Sequence, residues 1–374
     1  MSKKSAYISV DVLRAIAALG VFYYHTHIGT LLANYSGIKA IRYTDAFGAT
    51  FAVPLFFLIS GYCIHLSNIK YLEQKQSLPL KKYYIKRFLR IYPPYLLALL
   101  ASIATNVITD HSYHVSIPDV IYHTLLLQGF SQSYFNKINV VLWTITTEMA
   151  FYILYPIFYH LRLKYSINKA LLTTFIVSVF SIAYVSTMTT INLPQRFFVL
   201  NIWFAWCCGA WIADNYIFNP QVFKHKLIIF AYLLIVILFT PSLFFMHKTG
   251  LQIVTDQLDI LIWGGPLLWF LQLEPWFRKN QSLVLKIVVS VGLSSYSLYL
   301  FHEPLLSLKN YLVHQLLPPV IQPFGVAVGV LFIPVITWFS YQYVEKPFIT
   351  SKRKTQVDNE IQNSNIGPLF NDTI

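Results

Sequence analysis

Two ionisable side chains, Arg14 and His25, lie within the first long apolar stretch of the sequence. His25 follows Arg14 by about three helical turns, so both side chains share one helix face roughly 16 Å apart along the axis. Ionisable residues inside a membrane helix are costly and are functional candidates by default. The spacing predicts a fixed cation near one membrane surface and a titratable base much deeper. In the alternative interpretation, Arg14 only reaches the interface and His25 makes a buried hydrogen bond.

Two further titratable residues, Glu148 and His302, also lie within apolar segments. A histidine beside a carboxylate suits general-base catalysis, because the carboxylate fixes the tautomer and stabilises the imidazolium that forms. The sequence therefore makes His25 the candidate base and Glu148 its candidate partner. A buried Glu148 that is satisfied by hydroxyl groups and a merely solvated His302 remain alternatives.

A basic cluster with the sequence KKYYIKRFLRIYPPY precedes the third apolar segment. Arg87 and Arg90 are three positions apart and share one face at the start of a helix. Guanidinium groups bind phosphates through charge-assisted, bidentate hydrogen bonds. Together with Arg14, these arginines predict a binding site for a phosphorylated cytosolic donor. Basic inner loops are also general in multi-spanning proteins, which is the alternative.

Ser60 and Gly61 belong to the apolar segment PLFFLISGYCI. A nucleophilic serine needs a base beside it, and the sequence shows none. Small residues in a span commonly permit close helix packing. We therefore expect both residues to line a site or to pack between helices.

The composition is that of a multi-spanning membrane protein. Of the 374 residues, 56% are hydrophobic and only 11% are charged, compared with about 25% charged in soluble proteins. The stretches long enough to cross a bilayer are approximately 10–31, 50–66, 92–109, 141–161, 171–188, 196–213, 227–245, 253–271, 287–306 and 320–341.

The distribution of the 28 lysines and arginines gives the orientation. Most of them fall on one side if the N-terminus is cytoplasmic and the spans are even in number, as the positive-inside rule requires. An extra span at 120–130 would disturb this pattern, so we interpret that segment as interfacial or re-entrant on the outer side. The excess positive charge faces anionic lipid headgroups and cytosolic ligands, and nucleic-acid binding is not expected.

The predicted fold class is therefore an all-α, polytopic membrane helix bundle with about ten transmembrane helices and both termini inside. Residues 1–348 form a single transmembrane domain, and the polar segment 349–374 reads as a disordered cytoplasmic tail. The three cysteines lie in apolar spans, which indicates neither a disulfide framework nor a zinc site. The oligomeric state is left open.

Six ordered segments together resemble the acyltransferase-3 family of integral membrane acyltransferases, which includes O-acetyltransferases of bacterial surface polysaccharides. The segments are the Asp11, Arg14 and His25 helix, FFLISGY, KRFLRIYP, LWTITTEMAFYILYP, SSYSLYLFHEP and SYQYVEKPF. They extend over nearly the whole chain, and the resemblance is to members without an additional C-terminal domain.

The resemblance implies ten spans, an acyl-coenzyme A donor, acetyl-CoA in particular, and no metal. It makes His25 and Glu148 catalytic and gives donor binding to Arg14, Arg87 and Arg90. The residues that it places at the lining of the site are Ser60, Trp143, Tyr296 and His302. The expected location is the bacterial cytoplasmic (inner) membrane.

Our hypothesis from the sequence is an acyl-CoA dependent O-acyltransferase that acts on a cell-surface polysaccharide, such as lipopolysaccharide, or on a lipid-linked glycan. His25 would be the general base or would itself carry the acyl group. One alternative is an acyltransferase for a small-molecule acceptor. The other is a transporter or flippase in which the same residues form a proton relay.

Overall fold

The computed structural model describes residues 7–45, 48–245, 252–280 and 282–348. Within these ranges the chain forms helices and connecting turns and no strand. The predicted all-α fold class is confirmed. The tail predicted at 349–374 lies outside the described residues.

The α-helices of the described ranges are numbered here in chain order. They are α1 (Ile8–Thr26), α2 (Ile28–Ser36), α3 (Val53–Leu66), α4 (Ile69–Glu73), α5 (Leu80–Thr109), α6 (Ile117–Thr124), α7 (Trp143–Lys164), α8 (Ile167–Ser186), α9 (Leu193–Arg196), α10 (Val199–Phe218), α11 (Lys226–Phe245), α12 (Gln252–Leu261), α13 (Gly264–Gln272), α14 (Glu274–Lys279), α15 (Leu283–Leu293), α16 (Ser295–Leu316) and α17 (Gln322–Ser340). Short π-helical turns at Gly48–Ala52 and Tyr341–Glu345 precede α3 and follow α17.

Four helical stretches among the described residues are long and apolar enough to cross a bilayer. They are α1, α5, α8 and α17 with its continuation to Phe348, and the bent pair of α15 and α16 would make a fifth. The fold is therefore that of a helical protein with several candidate membrane spans. The count of ten spans and the placement of both termini inside stay predictions.

Three of the predicted spans are interrupted within the described residues. The stretch 10–31 is divided at His27, between α1 and α2. The stretch 287–306 is divided at Ser294, where α15 and α16 meet at a bend of 74°. The stretch 253–271 is divided between α12 and α13, immediately before Gly264. Helices commonly end before glycine and proline residues, and the sequence Gly264-Gly265-Pro266 explains the break before α13.

The segment 120–130 does not form a span. Its helix, α6, has eight residues, about 12 Å at 1.5 Å per residue, whereas the apolar layer of a bilayer is about 30 Å thick. Ser116 caps the helix, and its hydroxyl oxygen accepts a hydrogen bond from the backbone N–H of Asp119 at 3.2 Å. The interpretation of this segment as interfacial or re-entrant agrees with this geometry.

Helix α1 is held at both ends, and this fixes the positions of Arg14 and His25 along it. The Glu274 carboxylate accepts hydrogen bonds from the backbone N–H groups of Ile8 and Ser9, at 3.1 and 2.9 Å. These N–H groups have no partner within the helix. At the other end His27 adopts a left-handed conformation with φ of 52° and stops the helix. His25 therefore lies in the last turn of α1.

Close backbone approaches pack the helices around α1 and α3. A Cβ atom added at Gly292 of α15 would lie 1.9 Å from the carbonyl oxygen of Asp11 in α1. One added at Gly61 of α3 would lie 2.1 Å from the carbonyl oxygen of Trp206 in α10. Small residues permit such approaches in membrane bundles. Gly61 therefore has the packing role expected from the sequence.

Candidate active site

His25 in the last turn of α1 contacts the carboxylate of Glu303 in α16 through its Nδ1 atom. Both side chains retain some exposure, 18% for His25 and 22% for Glu303. With Nδ1–H donated to the carboxylate, the other ring nitrogen, Nε2, carries the lone pair. The pair has the chemistry of a base whose tautomer is fixed by a carboxylate.

His302 lies against His25, with ring centroids 5.0 Å apart, and its side chain is fully buried. Its Nδ1–H donates to the carbonyl oxygen of Tyr299 at 2.8 Å, so that Nε2 is left as an acceptor. Among the described residues that Nε2 atom has no hydrogen-bond partner. We call His25, His302 and Glu303 the histidine cluster.

The histidine cluster also has the composition of a metal site. One ligand atom from each of its three residues lies within 4.8 Å of the others. Imidazole nitrogen and carboxylate oxygen atoms are the usual protein ligands of Zn²⁺. A cation at this position would occupy the same lone pairs that a general base needs.

A second group of side chains lines a cavity between α1, α3, α5, α7 and α16, which we call the arginine cavity. Its ionisable and polar lining residues are Arg14, Ser60, Cys63, Arg87, Arg90, Thr144, Glu148, Tyr152, Ser295, Tyr296 and Tyr299. The structure thus brings together the three predicted donor-binding arginines with Ser60, Glu148 and Tyr296. These residues come from five helices, which the sequence alone does not place side by side.

The three arginines differ in how they are held. Arg14 donates to Asp11 Oδ1 at 3.1 Å and to Cys63 Sγ at 3.2 Å. Arg87 donates to Ser67 Oγ at 2.7 Å, and its Nε atom is buried without a partner among the described residues. Arg90 forms no hydrogen bond with the described residues, although it lines the cavity. Unused guanidinium donors remain available to an anionic ligand.

Arg87 also borders a smaller pocket at the surface, which we call the basic surface pocket. Its remaining lining residues are Ser67, Asn68, Lys70, Tyr71, Pro79, Lys82, Tyr83 and Lys86. The arginine cavity and the basic surface pocket therefore meet at one guanidinium group. A ligand with negative charge at one end could lie across both.

Glu148 does not contact His25, so the predicted pairing of these two residues is wrong. The Oε1 atom of Glu148 accepts a hydrogen bond from Ser60 Oγ at 3.3 Å and another from the hydroxyl group of Tyr152. Tyr152 is one helical turn after Glu148, which explains the contact. Glu148 therefore belongs to the arginine cavity, and the carboxylate beside His25 is Glu303.

His25 does not line the arginine cavity, and Tyr299 lies at the junction between the two groups. The Tyr299 ring lines the cavity, and its centroid is 5.9 Å from that of His302. Its hydroxyl group donates to the carbonyl oxygen of Val141 at 3.1 Å. The ring of Phe56 packs edge-on against Tyr299 at 5.8 Å. Tyr299 therefore borders both the cavity and His302 of the histidine cluster.

Tyr296 and Trp143, which were also predicted to line the site, lie in different places. Tyr296 lines the arginine cavity and donates to the carbonyl oxygen of Ile91 at 3.0 Å. Trp143 lies outside that cavity, stacked between Phe135 and Phe197 with ring centroids 5.2 and 4.5 Å away.

Sequence reasoning missed Glu303 and Cys63 as candidate site residues. A signal existed for Glu303, since a carboxylate directly after His302 in an apolar segment is itself an intramembrane ionisable residue. The proximity of Cys63 to Arg14 depends on the packing of α3 against α1, and no spacing in the sequence indicates it.

The chain is similar to known O-acetyltransferases. Over 379 residues it is 26% identical to the peptidoglycan O-acetyltransferase OatA of Listeria monocytogenes, covering 91% of this chain and 55% of that protein. Over 365 residues it is 24% identical to the O-acetyltransferase OatA of Staphylococcus aureus, covering 90% of this chain and 56% of that protein. The chain thus spans little more than half the length of these relatives. No solved structure matches it.

The acyltransferase domain of the acyltransferase-3 family matches residues 7–339. This range contains α1 with Arg14 and His25, the arginine cavity and the histidine cluster. The match covers most of the chain, and the helical architecture with several candidate spans agrees with it. The chain therefore belongs to the acyltransferase-3 family.

Proposed function

We propose that this chain is a membrane O-acyltransferase that transfers an acyl group, acetyl in particular, from cytosolic acyl-coenzyme A to a hydroxyl group of a cell-surface polysaccharide or lipid-linked glycan. The observation that carries the proposal is the contact between His25 and Glu303 near one end of α1, with the arginine cavity around Arg14 near its other end. The names of the relatives support O-acetyl transfer as the reaction.

The donor would lie along the basic surface pocket and the arginine cavity. Coenzyme A carries its phosphates at one end and its thioester at the other. The phosphates would bind the lysines of the surface pocket and Arg87, while the pantetheine arm would extend past Arg90 and Arg14 into the bundle. Charge-assisted hydrogen bonds from guanidinium groups to phosphate are strong and directional.

His25 would act as the general base. Its Nε2 atom would take the proton of the acceptor hydroxyl group as the hydroxyl oxygen attacks the thioester carbonyl carbon. The new C–O bond forms, the C–S bond breaks, and the proton passes from the imidazolium to the coenzyme A thiolate. Glu303 would stabilise the imidazolium between these steps. If His25 instead first carries the acyl group, its Nε2 atom displaces the coenzyme A thiolate, so that a C–N bond forms as the C–S bond breaks. The acceptor hydroxyl oxygen then displaces Nε2, so that the C–O bond forms as the C–N bond breaks, and the hydroxyl proton passes to the thiolate.

Glu148 would act in the arginine cavity. Its carboxylate offsets part of the positive charge of the three arginines and holds the hydroxyl groups of Ser60 and Tyr152. In this role Glu148 organises the donor site, and Glu303 organises the base.

The orientation follows from the positive-inside rule. With both termini in the cytoplasm and ten spans, the arginine cavity would open towards the cytosol and the histidine cluster would lie nearer the outer side of the bacterial cytoplasmic membrane. The donor and acceptor would then reach the site from opposite sides.

The test uses the full chain in lipid nanodiscs with radiolabelled acetyl-coenzyme A. The wild type should release coenzyme A and transfer label to a glycan acceptor extracted from the membrane, whereas His25→Ala should do neither above background. His160→Ala is the matched control, because His160 is exposed near the end of α7. Undiminished transfer by His25→Ala would overturn the mechanism.

The same experiment separates the alternatives. A transporter or flippase would leave the thioester intact and transfer no label. Transfer of label only to a small soluble hydroxyl compound would identify a small-molecule acceptor. Mass spectrometry of surface glycans from deletion and wild-type cells should show the loss of an acetyl increment if the acceptor is a glycan.

A further inference from the structure

A second cavity lies beside the histidine cluster and has a volume of about 450 Å³, within the range of small-molecule sites. It is bordered by residues from α1, α3, α7, α9, α10 and α12 and by Phe197. Its lining residues are Tyr24, Val53, Pro54, Phe57, Trp143, Leu193, Arg196, Phe197, Ile202, Asp256, Asp259 and Ile260. We call it the Trp143 cavity.

One wall of the Trp143 cavity is aromatic. The rings of Trp143 and Phe197 are stacked with centroids 4.5 Å apart and an angle of 28° between their planes. Phe135 also stacks on the indole ring, with centroids 5.2 Å apart, and the Arg196 guanidinium lies over Phe197 at 4.9 Å from its ring centroid. Because these contacts cover the ring faces, the rings offer the cavity mainly their apolar edges. The C–H groups of a pyranose ring can pack against such a wall.

The two carboxylates that line the Trp143 cavity, Asp256 and Asp259, belong to α12. Asp256 forms a two-pronged ion pair with Arg196, with nitrogen to oxygen distances of 2.6 and 2.7 Å. Asp259 is one turn farther along and lines the cavity, yet it is only 5% exposed and forms no hydrogen bond with any described residue. A buried carboxylate without a hydrogen-bond donor is costly. A ligand hydroxyl group that donates to Asp259 would remove this cost.

The Trp143 cavity adjoins both parts of the site already described. Tyr24 lines it, and the Tyr24 ring centroid is 4.9 Å from that of His25. Val53 and Phe57 line both this cavity and the arginine cavity. A ligand in the Trp143 cavity therefore lies next to Tyr24, the residue before His25. Val53 and Phe57 stand between this ligand and the arginine cavity.

We infer that the Trp143 cavity binds a neutral pyranose residue of the acceptor, with its C–H groups against the aromatic wall of Trp143 and Phe197 and its hydroxyl groups on Asp259 and Arg196. This inference rests on the proposed function. It favours neutral sugars, because the one guanidinium that lines the cavity is already paired with Asp256. A uronate or a sugar phosphate would therefore find no unpaired cation there.

The experiment measures acetylation of surface glycans by mass spectrometry in deletion cells that carry plasmid copies of the chain. Asp259→Asn and Phe197→Ala should each lower the acetylated fraction by about tenfold or more, because each removes one of the two contacts with the sugar. Trp143→Phe should retain more acetylation than Trp143→Ala, since it keeps an aromatic ring in the wall of the cavity.

Matched controls show whether the losses are specific to this cavity. Asp110→Asn and Phe175→Ala change an exposed carboxylate and an exposed aromatic ring elsewhere, and they should acetylate like the wild type. Purified Asp259→Asn and Phe197→Ala should also bind desulfo-coenzyme A with wild-type affinity, which shows that they are folded.

The outcomes separate this inference from the function on which it rests. If wild-type cells gain acetyl groups and Asp259→Asn, Phe197→Ala and Trp143→Ala all match them, the pyranose site is wrong while the acyltransferase stands. If the wild type adds no acetyl group to any glycan, both proposals fall. Equal losses in the cavity variants and in the two control variants would also contradict a site confined to this cavity.

Discussion

The Nδ1 atom of His25 contacts the carboxylate of Glu303, which joins the last turn of α1 to the middle of α16. His302, on the same helix as Glu303, packs its ring against His25. Two imidazoles and a carboxylate are thereby placed at the junction of two helices, next to an aromatic wall that includes Tyr299. This junction is the part of the site that the sequence alone did not assemble.

Glu303→Gln should lower the turnover number by about 10² to 10⁴, the usual contribution of general acid–base catalysis. The amide keeps the shape of the side chain but does not stabilise an imidazolium. The KM for acyl-coenzyme A should change little, because Glu303 does not line the arginine cavity. Initial rates of coenzyme A release at saturating donor give both parameters.

Glu148→Gln is the matched comparison for Glu303→Gln. It removes a carboxylate of the arginine cavity, so its main effect should be on the KM for acyl-coenzyme A. The opposite result would be an unchanged turnover number in Glu303→Gln and a large loss of turnover in Glu148→Gln. It would show that His25 pairs with Glu148 in the reacting state.

Arg90→Ala should raise the KM for acyl-coenzyme A by about tenfold or more, because a hydrogen bond to a charged group contributes about 1.5 to 3 kcal/mol. Lys81→Ala is the control, since Lys81 is an exposed cation on the same helix and lies outside both donor pockets. Equal KM values for the two variants would argue that the charge of α5 serves membrane orientation only.

The histidine cluster predicts inhibition by Zn²⁺. An ion held by His25, His302 and Glu303 would occupy the lone pair of the base. Added Zn²⁺ should slow acyl transfer, a chelator should restore it, and His302→Ala should need a higher Zn²⁺ concentration for half inhibition relative to its own rate. Loss of transfer on chelation, with recovery on adding a metal, would instead identify a metal-dependent enzyme.

The sequence predicted those parts of the site that follow from periodicity and charge. Arg14 and His25 lie on one helix, and Arg14, Arg87 and Arg90 meet in one cavity. Apolar runs are sufficient to predict helices, and the fixed rise of a helix is sufficient to place residues along it.

The parts that could not be predicted depend on contacts between distant helices. Glu148 and Glu303 both lie in apolar segments of the sequence, and only packing decides which of these carboxylates contacts His25. The break at Ser294 is a similar case, because no proline or charged residue marks it. Hydropathy continues across such a bend, whereas the Gly264-Gly265-Pro266 sequence at the break before α13 is a recognisable signal.

Gly61→Ala should lower the free energy of unfolding by about 1 to 3 kcal/mol, the usual cost of overpacking. The new methyl group would lie 2.1 Å from the carbonyl oxygen of Trp206, so α3 and α10 would have to separate. Thermal unfolding in detergent measures the loss.

Gly264→Ala is the matched control, because its added methyl group meets only the Ile212 side chain, at an ordinary 3.7 Å. Since Ser60 and Cys63 of α3 line the arginine cavity, separation of these helices should also weaken donor binding. Wild-type stability and donor affinity in Gly61→Ala would mean that α3 and α10 are not in close backbone contact at Gly61.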